Sequence, residues 1–201
     1  MENLGNLITT ARKLNNIGRW ANEFLHQRSS VAEHSFSVAQ IAQLLGIIEE
    51  EHGREIDWKR LYRKALNHDI PEAVMGDVIS TTKNSNAEVK KALSLVEETL
   101  VEENLLSSIQ EPYKSIYREI IFDGKDESIE GLILTAADNL DALIECIQEI
   151  KLSNYEPFLE KYQYILDKVK GIDLYSADYF VQYILPYITN NCDALKKQVN
   201  I

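Results

Sequence analysis

The chain has 201 residues, 45% hydrophobic and 26% charged, enough for one sizeable domain with a core and ordinary for a soluble globular protein. A formal net charge of −11 argues against a nucleic-acid polymer as partner, since that needs a basic stripe, but leaves room for a small anionic substrate in a locally cationic cleft. Cys146 and Cys192 form no CxxC pair or disulfide framework. No apolar run approaches the roughly 18–20 residues of a membrane span, and the opening MENLGNLITTARK lacks the basic-then-apolar order of a secretory signal. No membrane partner and a cytoplasmic location are therefore expected.

Helical patterning runs through the chain, and period-2 alternation is essentially absent. A first helix precedes Gly18-Arg19-Trp20. Ser30-Val31-Ala32-Glu33 has the capping-box form, after which Val31, His34, Val38, Ile41 and Leu45 share a helical face. Gly53 ends this segment after an acidic run. Asp57 is placed to cap the next helix, which runs to Asn67-His68-Asp69. Pro71 restarts the chain for a short piece, Glu72 to Met75, ending at Gly76-Asp77. Residues 78–84 are expected to form a loop. Ser85-Asn86-Ala87-Glu88 repeats the capping-box pattern ahead of a charged helix ending near Asn104. Further helices are expected over 113–122, about 128–151, 157–170 and 177–188. No repeat or linker interrupts them, so the expectation is an all-α, single-domain helical bundle over 1–201.

Four residues stand out as metal donors. His34 lies on an otherwise apolar face, where a lone histidine is more often a core residue than a ligand. His68-Asp69 sits where a helix ends, so both side chains have the freedom to converge on one ion; a helix-dipole histidine beside a capping aspartate is equally compatible. Asp138 follows LILTAA in the most apolar helix, where a charge needs a partner or a metal. Asp141 and Glu145, on its face, are expected to be solvated. Together His34, His68, Asp69 and Asp138 make an N2O2 set without thiolate, suited to a catalytic divalent ion and not to a closed structural zinc site. Glu72 and Asp77 follow as candidates for orienting or deprotonating water, against a simpler reading as solvated acids near a turn. Arg19 offers a planar fork for phosphate, Trp20 a flat wall for a sugar or base, and Lys83 a second phosphate contact.

The order His34, His68-Asp69, Asp138 resembles the signature of the HD-domain metal-dependent phosphohydrolases. The match is closest to the YfbR-like 5′-nucleotidases, through Gly18-Arg19-Trp20, SVAEHSFSVA from Ser30, NHDIPE from Asn67, Gly76-Asp77, Lys83 and TAADNLDALIE from Thr135. The resemblance implies an HD-type all-α fold and one divalent ion, cobalt, manganese or magnesium, on His34, His68, Asp69 and Asp138. It implies Glu72 and Asp77 as assistants to water attack, Arg19 on phosphate, and Trp20 on the sugar, disfavouring a ribose 2′-hydroxyl. It also implies a homodimer.

The expected activity is hydrolysis of phosphate from deoxynucleotide or nucleotide-analogue phosphates by metal-activated water. The family often carries prolines between its Gly-Asp and the lysine. Here Val78-Ile79-Ser80-Thr81-Thr82 has none, which opens the expectation to di- and triphosphates. The alternatives are an HD hydrolase of signalling nucleotides and a non-catalytic HD-fold regulatory module. The intact ligand set weighs against the latter.

Overall fold

The computed structural model describes residues 3–76 and 86–196, and among these it is helical without a strand. In chain order the helices are α1 (Gly5–Ala11), α2 (Val31–Glu51), α3 (Trp58–Asn67), α4 (Glu72–Met75), α5 (Ala87–Val101), α6 (Tyr113–Phe122), α7 (Ile129–Lys151), α8 (Phe158–Lys170), α9 (Tyr175–Tyr179), α10 (Leu185–Thr189) and α11 (Asp193–Lys196). A 3-10 turn, Arg12–Asn16, follows α1, and π-helical turns extend α5 over Glu102–Leu106 and join α9 to α10 over Phe180–Ile184. The all-α expectation holds.

Packing divides the chain into two compact units. One comprises Met1–Phe24, Arg28–Phe36 and Leu66–Gly124; the other comprises Leu25–Gln27, Ser37–Ala65 and Lys125–Ile201. In the first, Leu7, Val101, Leu105, Leu106, Ile109 and Ile121 form one apolar cluster. Leu14, Val31 and Ala73 form a smaller one, with Ile17, Ala32 and Ile70 against it. This second cluster ties the first turn of α2 to α4, the two elements that carry His34 and Glu72.

In the second unit α7 packs along α8. Ile133, Leu134, Ala137, Leu140 and Ile147 are buried on α7, and Phe158, Tyr162, Ile165 and Val169 on α8. Gly46 sits inside α2, where glycine costs about 1 kcal/mol relative to alanine. A Cβ there would stand 2.8 Å from the Trp58 ring and 3.1 Å from Leu61, so the absent methyl is what admits α3 at that distance. Lys64 on α3 is fully buried, its ammonium 3.0 Å from Asp126, which also accepts from Arg60 at 2.7 Å.

Three sequence expectations change. The cap of α5 is Asn86, whose side chain accepts from Val89 N at 2.8 Å, one residue beyond the Ser85 pattern; asparagine is as good a cap as serine. Asp141 and Glu145 are not solvated. They are 6% and 7% exposed, because α7 is buried around most of its circumference. And α2, among the described residues, is long and apolar enough by composition to cross a membrane. Its most apolar 18-residue window has mean hydropathy 1.2, with 44% buried inside the protein. Its apolar residues are interspersed with Ser and Gln, so a search for unbroken apolar runs passes over it.

Candidate metal centre

The start of α2 is built by side chains three residues apart. Ser30 N donates to Glu33 Oε2 at 2.7 Å and Glu33 N donates to Ser30 Oγ at 3.2 Å, the reciprocal capping box. Hydrogen bonds from Ser30 hold the Glu33 carboxyl below its ordinary value, the backbone N–H contributing most. This start fixes the phase of α2. Val31, His34, Val38 and Leu45 are all buried, and His34 is 1% exposed.

Helix α3 ends at Asn67, and His68-Asp69-Ile70-Pro71 turns into α4. Ile70 N donates to Asn67 O at 3.1 Å and Glu72 N to Asp69 O at 3.0 Å, so this turn has its own backbone bonds. The turn brings together three donor atoms. His68 Nε2 lies 3.4 Å from His34 Nε2 and 3.2 Å from Asp69 Oδ2; His34 Nε2 lies 3.5 Å from the same oxygen. The imidazole rings meet edge to face, 5.4 Å between centroids.

These separations test whether a cation fits. Ligand bonds of about 2.1 Å at near-tetrahedral angles set donor atoms roughly 3.4 Å apart. The triangle His34, His68, Asp69 has edges of about that length, from 3.2 to 3.5 Å, so the three donor atoms are spaced to share one ion. Two imidazole nitrogens and one carboxylate oxygen suit a divalent transition ion and leave positions open for water or substrate.

The other predicted site residues fall as follows. Glu72 is half-buried in the first turn of α4. Arg19 and Trp20 are half-buried in the first unit, the Arg19 guanidinium 6.0 Å from the centre of the Trp20 ring. Trp20 adopts φ 54°, a left-handed conformation costing a non-glycine residue roughly 1–2 kcal/mol. Asp138 belongs to the second unit, where it is half-buried and ion-paired with Lys125. Asp77 and Lys83, and the loop over 78–84, lie outside the described residues. Sequence inspection missed two residues, Lys125 and Arg28. Arg28 donates to backbone carbonyls around Trp20, and carbonyl acceptors leave no mark in a sequence.

Comparison with known proteins agrees with this picture. A 5′-deoxynucleotidase of Vibrio vulnificus is 27% identical over 187 residues, 89% of this chain and 92% of that protein. The Escherichia coli 5′-deoxynucleotidase YfbR is 24% identical over 186 residues, 92% of each. The crystal structure of an HD-domain phosphohydrolase from Listeria innocua superposes with a TM-score of 0.85 at 37% identity, covering 94% of this chain and 90% of that one. The cyanophage S-2L HD phosphohydrolase DatZ, solved with dA and one catalytic zinc ion, shares the fold at a TM-score of 0.62 and 16% identity, covering 91% of this chain and 96% of its own. The model of the YfbR-like 5′-deoxynucleotidases matches residues 6–188, and the chain belongs to that family of HD-fold hydrolases.

Proposed function

We propose that this chain hydrolyses the phosphate ester of deoxynucleotides, 5′-monophosphates foremost, using one divalent ion held by His34, His68, Asp69 and Asp138. The observation that carries the reading is the convergence of His34 Nε2, His68 Nε2 and Asp69 Oδ2, in a chain whose relatives are named 5′-deoxynucleotidases. A bound ion supplies Lewis acidity, which polarises a phosphoryl oxygen and makes water a better nucleophile near neutral pH. Asp138 enters the set on its spacing in the HD signature.

The remaining roles belong to the chain's own residues. Glu72 accepts the proton of the attacking water. Arg19 holds the phosphate through its planar fork and offsets charge there as the ester bond breaks. Trp20 packs on the sugar. Asp77 positions water or sugar and Lys83 meets the phosphate, both on sequence grounds alone. Cobalt, manganese and magnesium are the candidate ions. The reading extends to residues 1–201 as one HD phosphohydrolase domain, working as a cytoplasmic homodimer without membrane or nucleic-acid-polymer partner. The net charge of −11 supports the last point.

Time-resolved product analysis of the protein loaded with cobalt, manganese, magnesium or zinc tests this reading. The substrates are deoxynucleoside mono-, di- and triphosphates with their ribose counterparts. Inorganic phosphate from deoxynucleoside monophosphates is expected. Stepwise release from triphosphates would extend the substrate range, as the proline-free stretch 78–82 invites. No phosphate from any deoxynucleotide, or activity confined to signalling nucleotides such as guanosine tetraphosphate, would overturn it.

A further inference from the structure

The segment that carries Arg19 and Trp20 is held at both feet. Gly18 and Ser30 form an isolated antiparallel bridge, Arg19 N donates to Ser29 O at 3.0 Å, and Val31 N donates to Ile17 O at 2.8 Å. Between the feet the strained residue is Trp20, at φ 54°. Strain of this kind persists only where surrounding contacts over-determine it.

Arg28 supplies those contacts. Its Nη1 donates to Arg19 O at 2.5 Å and to Trp20 O at 2.9 Å, and its Nη2 donates to Glu23 O at 2.6 Å. One planar cation thus gathers three carbonyls from the turn around Trp20. A flat guanidinium with five fixed donors suits this; the lysine ammonium, a point charge on a flexible stem, does not. The stem of Arg28 passes directly over Gly18, where a Cβ would stand 2.6 Å from Arg28 Cδ. A methyl at position 18 would therefore push the Arg28 stem off its path to the turn.

We infer that Arg28 is a positioning residue: its guanidinium, passing over Gly18 to chelate the carbonyls of Arg19, Trp20 and Glu23, sets how Arg19 and Trp20 are presented to the nucleotide. The inference rests on the function proposed above for those two residues. Arg28 is given no contact with substrate.

The first measurement needs no substrate. In a Trp58→Phe background, which leaves Trp20 as the emitting tryptophan, Arg28→Ala should shift Trp20 emission to longer wavelength. Guanidinium chloride at non-denaturing concentration should move it back by refilling the cradle. The second is kinetic. Arg28→Ala should raise KM for a deoxynucleoside monophosphate about tenfold and narrow the preference for deoxyribose over ribose. Metal content and helical circular dichroism should stay as in the wild type, and Arg28→Lys should fall between. Gly18→Ala should reproduce the effect, and the double variant should be no worse than either single one. Unchanged Trp20 emission, or additive Gly18 and Arg28 effects, would overturn the inference whatever the substrate. So would a loss of fold and metal along with KM, which marks a merely structural residue. Absence of hydrolysis by the wild type overturns the functional reading instead, and the emission experiment still decides what Arg28 holds.

Discussion

His34 shows how one residue's meaning depends on its neighbours in space. Alone on an apolar helix face, 1% exposed, it resembles many buried histidines; with His68 Nε2 at 3.4 Å and Asp69 Oδ2 at 3.5 Å it becomes one vertex of a donor triangle. The adjacency of His68 and Asp69 is visible in the sequence, and so is the proline that follows them. Their convergence is not, because it depends on the turn after Asn67. His68→Ala or Asp69→Asn is expected to weaken divalent-ion binding at least about a hundredfold and to remove hydrolysis, with the helix content intact. Elemental analysis alongside circular dichroism checks this; a variant that kept its ion would remove the triangle from the site. Asp138 illustrates the other case. Its position in an apolar helix demanded a charge partner or a metal, and the structure supplies Lys125 as a partner. Lys125 lies beyond the N-terminus of α7, outside the reach of any helical-spacing argument.

At the scale of elements, chemistry confined to a few consecutive residues was legible. The capping box at Ser30-Glu33 and the Asp57 cap that accepts from Arg60 N at 3.0 Å both involve partners three residues apart. Ser30→Ala should therefore cost about 1 kcal/mol, read as a lower urea midpoint at unchanged slope. A loss well above that would mean Ser30 does more than cap. The π-helical turns at Glu102–Leu106 and Phe180–Ile184 were not legible, since one extra residue per turn is decided by what the helix packs against. The burial of Asp141 and Glu145 escaped for the same reason. Their spacing marks them as one face with Asp138, but only packing determines whether that face meets water.

At the scale of the whole molecule, Asp126 links charge to stability. Burial pushes its carboxyl up, but the Ser128 hydroxyl, the Lys64 ammonium and the Ser128 N–H outweigh this and hold it down at about 2, from an ordinary 3.8. A carboxyl lowered on folding contributes stability that is present above its unfolded value and lost as pH falls through the folded one. Wild-type stability should therefore drop between about pH 4 and pH 2. Asp126→Asn should be less stable at neutral pH by on the order of 1 kcal/mol, because it takes the Asp126 carboxylate, itself partly screened by water, from the buried Lys64 ammonium. The gap between the two proteins should close as pH approaches 2. Urea melts across that range check it, and a constant gap would show that the carboxylate charge is not what matters. The sequence by itself determined the all-α class, the capping-box start of α2, the order of the HD signature and the family, because periodicity, caps and motif order are local or linear properties. Only the tertiary structure decided that three donors come within ligand spacing of one another, that Lys125 meets Asp138, that Lys64 is buried against Asp126, and that Arg28 grips the turn at Trp20. Those pairings join groups separated along the chain, or use backbone carbonyls that every residue carries, so no pattern of side chains announces them.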